Sequence, residues 1–179
     1  MSSAGKHFAL VGGLAVSIRA EVRFTRDIDL AVVVADDVEA EALILALRDQ
    51  GYLPLATVEH EIQRRLSTAR LMSPHGVKID LLFASCGIER EVVERASSVP
   101  LPGAGNLAVA AAEELLAMKI LSMTDHRLQD RIDAQRLVLC NPALNLTRVR
   151  ENLRLIAERG FDRGQNLESK LKLVLESET

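Results

Sequence analysis

Cysteine, aromatic residues and long apolar runs are all scarce in this chain of 179 residues. Its two cysteines, Cys86 and Cys140, lie far apart and outside any zinc-binding spacing, which excludes a disulfide framework and suits a reducing compartment. With 3% aromatic residues and no tryptophan, the hydrophobic content of 48% must come mainly from aliphatic side chains. We therefore expect an aliphatic core and a cytoplasmic protein.

An excess of positive charge is also missing, because 25 Asp and Glu residues outnumber 22 Lys and Arg residues. A net charge of -3 argues against a broad, sequence-independent grip on nucleic acid, while leaving room for a small basic groove. The four histidines show no metal-ligand spacing, and no Walker loop or serine-hydrolase motif occurs. These absences remove several common enzyme classes.

The most apolar stretch, residues 8–18, resembles the core of a signal peptide but lacks a clear cleavage site. It is also too short to span a membrane, and Gly12 and Gly13 interrupt it. We interpret it as a buried strand, a turn and the start of a helix. No membrane association is predicted.

The chain divides by pattern into an α/β half and a helical half. Strands are predicted over 7–11 and 25–34, a helix capped by Asp36 over 37–50, a hairpin around 74–76, and a helix over 88–96. Helices are predicted over 107–123, 129–139, from a cap at Thr147 to about 160, and 166–176. The predicted organisation is an α/β domain over 1–97, a Pro- and Gly-rich linker over 98–106, and a helical domain over 107–179.

Two aspartates one residue apart are the strongest functional signal. Asp27 and Asp29 lie at the start of the predicted second strand, so their side chains share one face of the sheet. Like charges this close repel, and a divalent cation that carries a nucleotide would relieve the repulsion. A solvated pair at a strand start is the alternative.

Two further features of the sequence support the hypothesis of a divalent cation that carries a nucleotide. Gly12 and Gly13 lie between a strand and a helix, where backbone N–H groups can approach a phosphate, although a Gly pair is usually only a turn. Asp80 interrupts an apolar strand, where an unpaired carboxylate is unfavourable unless it faces water at a sheet edge. Together, three carboxylates beside a Gly-rich turn can hold two Mg²⁺ ions for an in-line attack on the α-phosphate of an NTP.

The order of these features resembles the DNA polymerase β-like nucleotidyltransferase superfamily, over residues 9–83. A narrower pattern, Arg23-x-Thr25-x-Asp-x-Asp, looks like the AbiEii-type nucleotidyltransferases, which are toxins of bacterial toxin–antitoxin systems. The resemblance implies a minimal polymerase β-like α/β domain with a C-terminal helical bundle, and an active site in the cleft between them.

A second block strengthens this resemblance. Leu115-Leu116-Ala117-Met118-Lys119, followed by Arg127, Asp130 and Asp133, is similar to the helical motif in which a Lys and an Asp-x-x-Asp pair complete the nucleotide site. Asp130 and Asp133 lie one helical turn apart on one face. A surface salt-bridge network among these side chains is the alternative reading. The chain departs from the family at Gly13, often Ser, and at Gln129, often basic.

The resemblance implies an NTP:acceptor nucleotidyltransferase that acts on the 3′ end of tRNA and has a cognate antitoxin. The rival hypotheses are a small-molecule nucleotidyltransferase, such as an aminoglycoside-modifying enzyme, and a nucleotide-binding module without turnover. The implied metal ligands are Asp27, Asp29 and Asp80, and the implied catalytic residues are these three and Lys119. The implied nucleotide-binding residues are Gly12, Gly13, Arg23, Thr25, Lys119, Asp130 and Asp133.

Overall fold

The computed structural model describes residues 7–101, 103 and 105–176. The strands in these ranges are β1 (Phe8–Val11), β2 (Asp27–Val32), β3 (Leu53–His60), β4 (Arg65–Met72), β5 (Lys78–Leu82), β6 (Ser97–Leu101) and β7 (Gly105–Val109). The helices are α1 (Gly12–Arg19), α2 (Asp37–Asp49), α3 (Glu89–Arg95), α4 (Ala112–Ser122), α5 (Leu128–Cys140), α6 (Leu146–Glu158) and α7 (Leu167–Glu176). None of these helices is long and apolar enough to cross a membrane.

The strands form one mixed sheet in the order β3-β4-β5-β2-β1-β7-β6. The pairs β2–β5 and β1–β7 are parallel, and the other neighbours are antiparallel. Strand β2 lies in the middle of the sheet, and its Leu30 packs against core clusters on both faces, as its near-continuous apolar sequence predicts. The predicted α/β fold class is confirmed.

The core has two parts that differ in size. The larger part joins β1, β7 and α3 to the C-terminal helices, with side chains such as Leu10, Leu116 and Ile156 fully buried. The smaller part lies between α2 and β4, where Ile44 packs near Leu71. The C-terminal helices are therefore fixed by apolar packing, and α4 and α5 both contact α1, the helix that precedes β2.

The predicted N-terminal cap of α2 is confirmed, and the predicted cap of α6 is wrong. The Asp36 carboxylate accepts the N–H of Glu39 at 2.9 Å, and Gly51, just after the helix, has φ +89°. At α6 the cap is Asn145, whose side chain accepts the N–H of Arg148 at 3.1 Å, so Thr147 lies inside the first turn. Both residue types cap helices, and sequence alone did not separate them.

Strands β6 and β7 pair antiparallel within the segment 98–106 that the sequence predicts as a linker. Proline is tolerated since β6 is an edge strand, while Val99 and Leu107 pack partly against the larger core. Strand β7 also takes residues 107–109, which the sequence placed in a helix, and pairs with β1 through Leu10 and Val109. The division into two domains at this segment stays a prediction.

Candidate active site

Four residues, one on each of four neighbouring strands, are paired in register across the sheet. Asp29 of β2 pairs with Asp80 of β5, Asp80 pairs with Arg70 of β4, and Asp29 pairs on its other side with Val11 of β1. The two carboxylates are direct neighbours because β2 and β5 run parallel in this register. Asp27 lies two residues before Asp29 and therefore shares its face. We call Asp27, Asp29 and Asp80 the sheet wall.

Asp80 is only 8% exposed and lies on an interior strand, so it is not the water-facing edge residue of the alternative reading. Arg70 neutralises it with two hydrogen bonds, from Nε to Oδ1 at 2.7 Å and from Nη2 to Oδ2 at 2.6 Å. The hydrogen bonds and charge of Asp80 raise the pKa of the Arg70 guanidinium. Both carboxylate oxygens of Asp80 are therefore held by one side chain.

Arg70 is a cleft residue that sequence reasoning missed. Its signal was the hairpin around 74–76: continuing the pairing of Met72 with Lys78 places Arg70 opposite Asp80. An arginine opposite a lone aspartate on a predicted hairpin is a readable ion pair.

Asp29 differs from Asp80 in having no ion pair within the described residues. Burial raises the pKa of its carboxyl, the charges of Asp80 and Asp27 raise it further, and the charge of Lys119 and a hydrogen bond from the Gly13 N–H oppose them. Within the described residues no Arg or Lys forms an ion pair with Asp29, whereas Asp80 has Arg70. Asp29 thus carries a charge that its surroundings disfavour.

Gly12 and Gly13 make room for two site side chains. Helix α1 begins at Gly12 itself, not after the pair, and Gly12 has φ +64°. A Cβ on Gly12 would lie 1.8 Å from Oδ2 of Asp29, and one on Gly13 would lie 2.3 Å from Nη2 of Arg23. The Gly pair is therefore part of the site, since any larger residue would displace a neighbouring charged group.

Opposite the sheet wall lies a second group of side chains, Lys119, Asp130 and Asp133, which we call the helix wall. The Lys119 Nζ lies 2.7 Å from Oδ1 of Asp130 and 2.8 Å from Oδ2 of Asp133. Asp133 is fully buried, Asp130 is 4% exposed and Lys119 is 9% exposed. The network is a buried one, so the alternative of a surface salt-bridge network is wrong.

Asp133 joins the helix wall to the loop before β2. Arg23 Nη2 donates to Oδ2 of Asp133 at 2.9 Å, and Gln129 Nε2 donates to Oδ1 at 2.9 Å. Burial alone would raise the pKa of the Asp133 carboxyl, but its hydrogen bond and ion pair with Lys119, with Gln129 and Arg23 adding to them, lower it below its ordinary value. Gln129 therefore supports the network although the family more often has a basic residue there.

The cleft between the two walls consists of an inner and an outer pocket. The inner pocket, about 310 Å³, extends past Thr68, Ser85 and Arg163, and the outer pocket, about 560 Å³, extends past Thr25 and Asp27. Residues that line both pockets are Asp29, Arg70, Asp80, Lys119, Arg127 and Asp130. Gly12 lines the inner pocket, and Gly13 and Arg23 line the outer one. Asp133 lies behind Lys119 and lines neither of them.

The sheet wall has the donor type that Mg²⁺ prefers but not a closed ligand set. Within residues 7–101, 103 and 105–176, no group of three or more His, Cys, Asp or Glu side chains is arranged around one metal position. Asp29 and Asp27 offer carboxylate oxygens without an ion-pair partner, whereas Arg70 holds both oxygens of Asp80. The residues fit a hard cation at Asp27 and Asp29, and Asp80 can join once Arg70 releases it.

These features define a class of protein before any comparison. Paired carboxylates on adjacent strands, a glycine-started helix beside them and a buried lysine opposite form the arrangement expected for a nucleotidyltransferase site. The family model described as "Nucleotidyl transferase AbiEii toxin, Type IV TA system" matches residues 1–172. The chain therefore belongs to the AbiEii nucleotidyltransferase family, and the predicted family and enzyme class are confirmed.

Other comparisons gave distant similarities. An antigenic nucleotidyltransferase-like protein from Paracoccidioides brasiliensis has 19% identity and a TM-score of 0.45, over 92% of this chain and 84% of its own. The lincosamide antibiotic adenylyltransferase LnuA, in its lincomycin-bound structure, has 18% identity and a TM-score of 0.40, over 73% of this chain and 84% of its own. No curated protein matched the sequence.

Proposed function

We propose that this nucleotidyltransferase moves a nucleoside monophosphate from an NTP to the 3′ hydroxyl of tRNA in a Mg²⁺-dependent reaction, as the toxin of a toxin–antitoxin system. The observation that carries the proposal is the pairing of Asp29 with Asp80 on neighbouring strands, opposite Lys119. The tRNA acceptor follows from the family resemblance, and the assignment of the AbiEii family to toxin–antitoxin systems supports an antitoxin partner.

The chain's own residues divide the work between the two walls. The N–H groups in the first turn of α1 favour an anion beside Gly12 and Gly13, and Lys119 adds a positive charge that Asp130 and Asp133 hold in place. When bound at the sheet wall, Mg²⁺ would supply charge neutralisation at the triphosphate and at the attacking oxygen.

In this proposal Asp80 accepts the proton of the acceptor hydroxyl. It lines the inner pocket beside Asp29, and its oxygens become available when Arg70 moves to another anion. Arg70 can move because its side chain is 46% exposed, while Asp80 is nearly buried. Arg70 thus shields Asp80 in the absence of substrate and can turn toward a phosphate in its presence.

The charge of the cleft speaks against a cationic small-molecule acceptor. An acidic cleft would favour such a substrate. Its lining instead mixes four carboxylates with five Arg and Lys side chains, namely Asp27, Asp29, Asp80 and Asp130 with Arg23, Arg70, Lys119, Arg127 and Arg163. Mg²⁺ at the sheet wall would make the balance more positive, which suits a polyanionic acceptor.

The test is incubation with each α-³²P-labelled NTP, Mg²⁺ and total bacterial RNA, beside the Asp29→Asn variant. We expect label on tRNA-sized RNA with the wild type only, and the active NTP identifies the base preference. Label on a small molecule instead of RNA would overturn the tRNA acceptor while keeping the chemistry. Label on nothing, with NTP still bound, would favour the binding module without turnover.

A further inference from the structure

Among the cations that line the cleft, Arg163 differs from the rest in its partners. Each of the other cations forms an ion pair with a carboxylate. Arg23 and Lys119 pair with Asp133, Arg70 pairs with Asp80, and Arg127 pairs with Asp130. Arg163 forms no ion pair within the described ranges, and its Nη2 donates only to the Ser85 carbonyl oxygen, at 3.4 Å. Its charge is therefore available to a ligand.

The backbone holds Arg163 in an uncommon conformation. Arg163 has φ +57°, in the left-handed region that non-glycine residues adopt rarely and that clusters at functional positions. Phe161, two residues earlier, is buried and packs against Gly87, where an added Cβ would lie 2.5 Å from its ring. The Gln165 N–H donates to the Asp162 carbonyl at 3.1 Å and closes the loop on the other side. Both flanks thus fix the position of Arg163.

A second cation lies close to Arg163. Burial, followed by the charge of Arg163, lowers the pKa of the Lys170 ammonium, and Asp125 offsets this only partly. Lys170 donates to the carbonyl of Met123 and to the side chain of Gln165. A bound anion would stabilise these two neighbouring positive charges.

The position of Arg163 in the cleft indicates which substrate supplies the anion. Arg163 lines the inner pocket, together with Thr68, Ser85 and Asp80, and does not line the outer pocket. Of the residues beside which the triphosphate is proposed to bind, Gly13 lines only the outer pocket, Gly12 lines only the inner pocket, and Lys119 lines both. A ligand of Arg163 therefore lies in the inner pocket beside Asp80, the residue proposed to accept the proton of the acceptor hydroxyl.

We propose that Arg163 binds a backbone phosphate of the acceptor strand and so directs its 3′ hydroxyl toward Asp80. This inference rests on the proposed function and adds to it a residue that selects for a polyanionic acceptor. A planar guanidinium suits a phosphate because it can donate two parallel hydrogen bonds. Arg163 is a positioning residue for the acceptor and takes no part in binding the NTP.

The test measures RNA binding directly, without depending on turnover. Fluorescence anisotropy with a labelled single-stranded RNA that ends in a free 3′ hydroxyl compares wild type, Arg163→Gln, Arg163→Lys and the control Arg64→Gln. Arg64 is matched, since it is exposed, has φ +50° and lies outside both pockets. Melting temperatures of all four proteins confirm that the fold is kept.

We expect Arg163→Gln to weaken RNA binding by about tenfold and to lower the slope of log K against log salt by about 0.7, the value of one single-strand phosphate contact. Arg163→Lys should retain part of the affinity, and Arg64→Gln should match wild type. NTP affinity should stay unchanged in every variant.

Unchanged RNA affinity in Arg163→Gln would overturn the inference, and so would a loss of NTP affinity as large as the loss of RNA affinity. The second result would show that Arg163 binds the triphosphate of the NTP and not the acceptor strand. Failure of the proposed function gives a different result: wild type would bind the RNA with an Arg163-dependent affinity yet transfer no nucleotide to it.

Discussion

The two walls of the cleft present aspartates in opposite electrostatic settings. On the helix wall, Asp133 is fully buried, but Lys119 and Arg23 lie within 2.9 Å of it and the pKa of its carboxyl is lowered. On the sheet wall, burial first, and then the charges of Asp80 and Asp27, raise the pKa of the Asp29 carboxyl. Burial thus acts in the same direction on both carboxyls, and the neighbouring charges decide whether the pKa ends above or below its ordinary value.

This difference separates a wall whose charges are paired within the fold from a wall that keeps an unpaired charge. Both aspartates of the helix wall have cationic partners, and the network ties α4, α5 and the loop before β2 together and holds Lys119 in one place. We infer that the sheet wall keeps a negative charge that destabilises the free protein and that a bound cation would offset. Perturbed carboxylates of this kind are typical of functional sites.

The largest expected effect is on the sheet wall. Asp29→Asn keeps the size of the side chain but removes its charge, so we expect turnover to fall by about 10³-fold or more, the loss of about 4 kcal/mol of transition-state stabilisation. Pyrophosphate release with saturating NTP and RNA measures it. Turnover within tenfold of wild type would show that Asp29 has no role in the chemistry.

A substitution in the helix wall should lower the free energy of unfolding. Asp133→Ala leaves Lys119 and Arg23 short of a partner in a buried position, and we expect a loss of about 3 kcal/mol in the free energy of unfolding, measured by urea denaturation. Because the Asp133 pKa is lowered by folding, its contribution is present above its unfolded pKa and is lost as pH falls through its folded pKa.

The control for this variant is an exposed ion pair. Glu168→Ala removes the partner of Arg150, and both side chains are nearly half exposed. Such surface pairs contribute little, so this variant should match wild type in urea. Equal losses in the two variants would remove the distinction drawn for the helix wall.

Gly12→Ala tests the contact of α1 with the sheet wall. Its added Cβ overlaps Asp29, so we expect a loss of about 100-fold in turnover from displacing that carboxylate. Gly76→Ala is the matched control, since Gly76 has φ +77° and open space around it, and shares the backbone strain alone. A similar loss of turnover in both variants would attribute the effect to the backbone strain that the two substitutions share and not to displacement of Asp29.

The smallest effect is a shift in pH dependence. Because the Asp29 pKa is raised and the ionised form holds the cation, the acid limb of kcat/KM should lie above the range of an ordinary aspartate. Raising the Mg²⁺ concentration should move this limb to lower pH, since the cation competes with the proton. A limb that does not respond to Mg²⁺ would assign it to another group.

Sequence reasoning found the parts of the site that follow from local pattern. Alternation on one strand brings Asp27 and Asp29 to one face, and helical spacing brings Asp130 and Asp133 to one side of α5. The strand register, which sets Asp29 beside Asp80, supports the expected adjacency. These residues were expected together, and all of them line one cleft except Asp133, which lies behind Lys119.

The remaining parts depend on contacts between distant segments, which pattern does not show. Pro and Gly over 98–106 predict a linker, yet strand β7 gains its place by pairing with β1, about a hundred residues earlier. Arg163 reaches the cleft only because Phe161 fixes its loop against Gly87. The burial of Lys119, Asp130 and Asp133 likewise follows from helix packing. The sequence therefore left open the alternative that these side chains form a salt-bridge network on the surface.

The most direct test of the contrast between the walls is thermal unfolding of wild type and Asp29→Asn at neutral pH, with and without Mg²⁺. A carboxyl whose pKa is raised by folding stabilises the protein only at low pH, so ionised Asp29 should lower stability at neutral pH. We predict that Asp29→Asn melts at a higher temperature than wild type without Mg²⁺, and that Mg²⁺ raises the melting temperature of wild type far more than that of the variant. A lower melting temperature for Asp29→Asn without Mg²⁺, together with equal responses to Mg²⁺, would contradict the account.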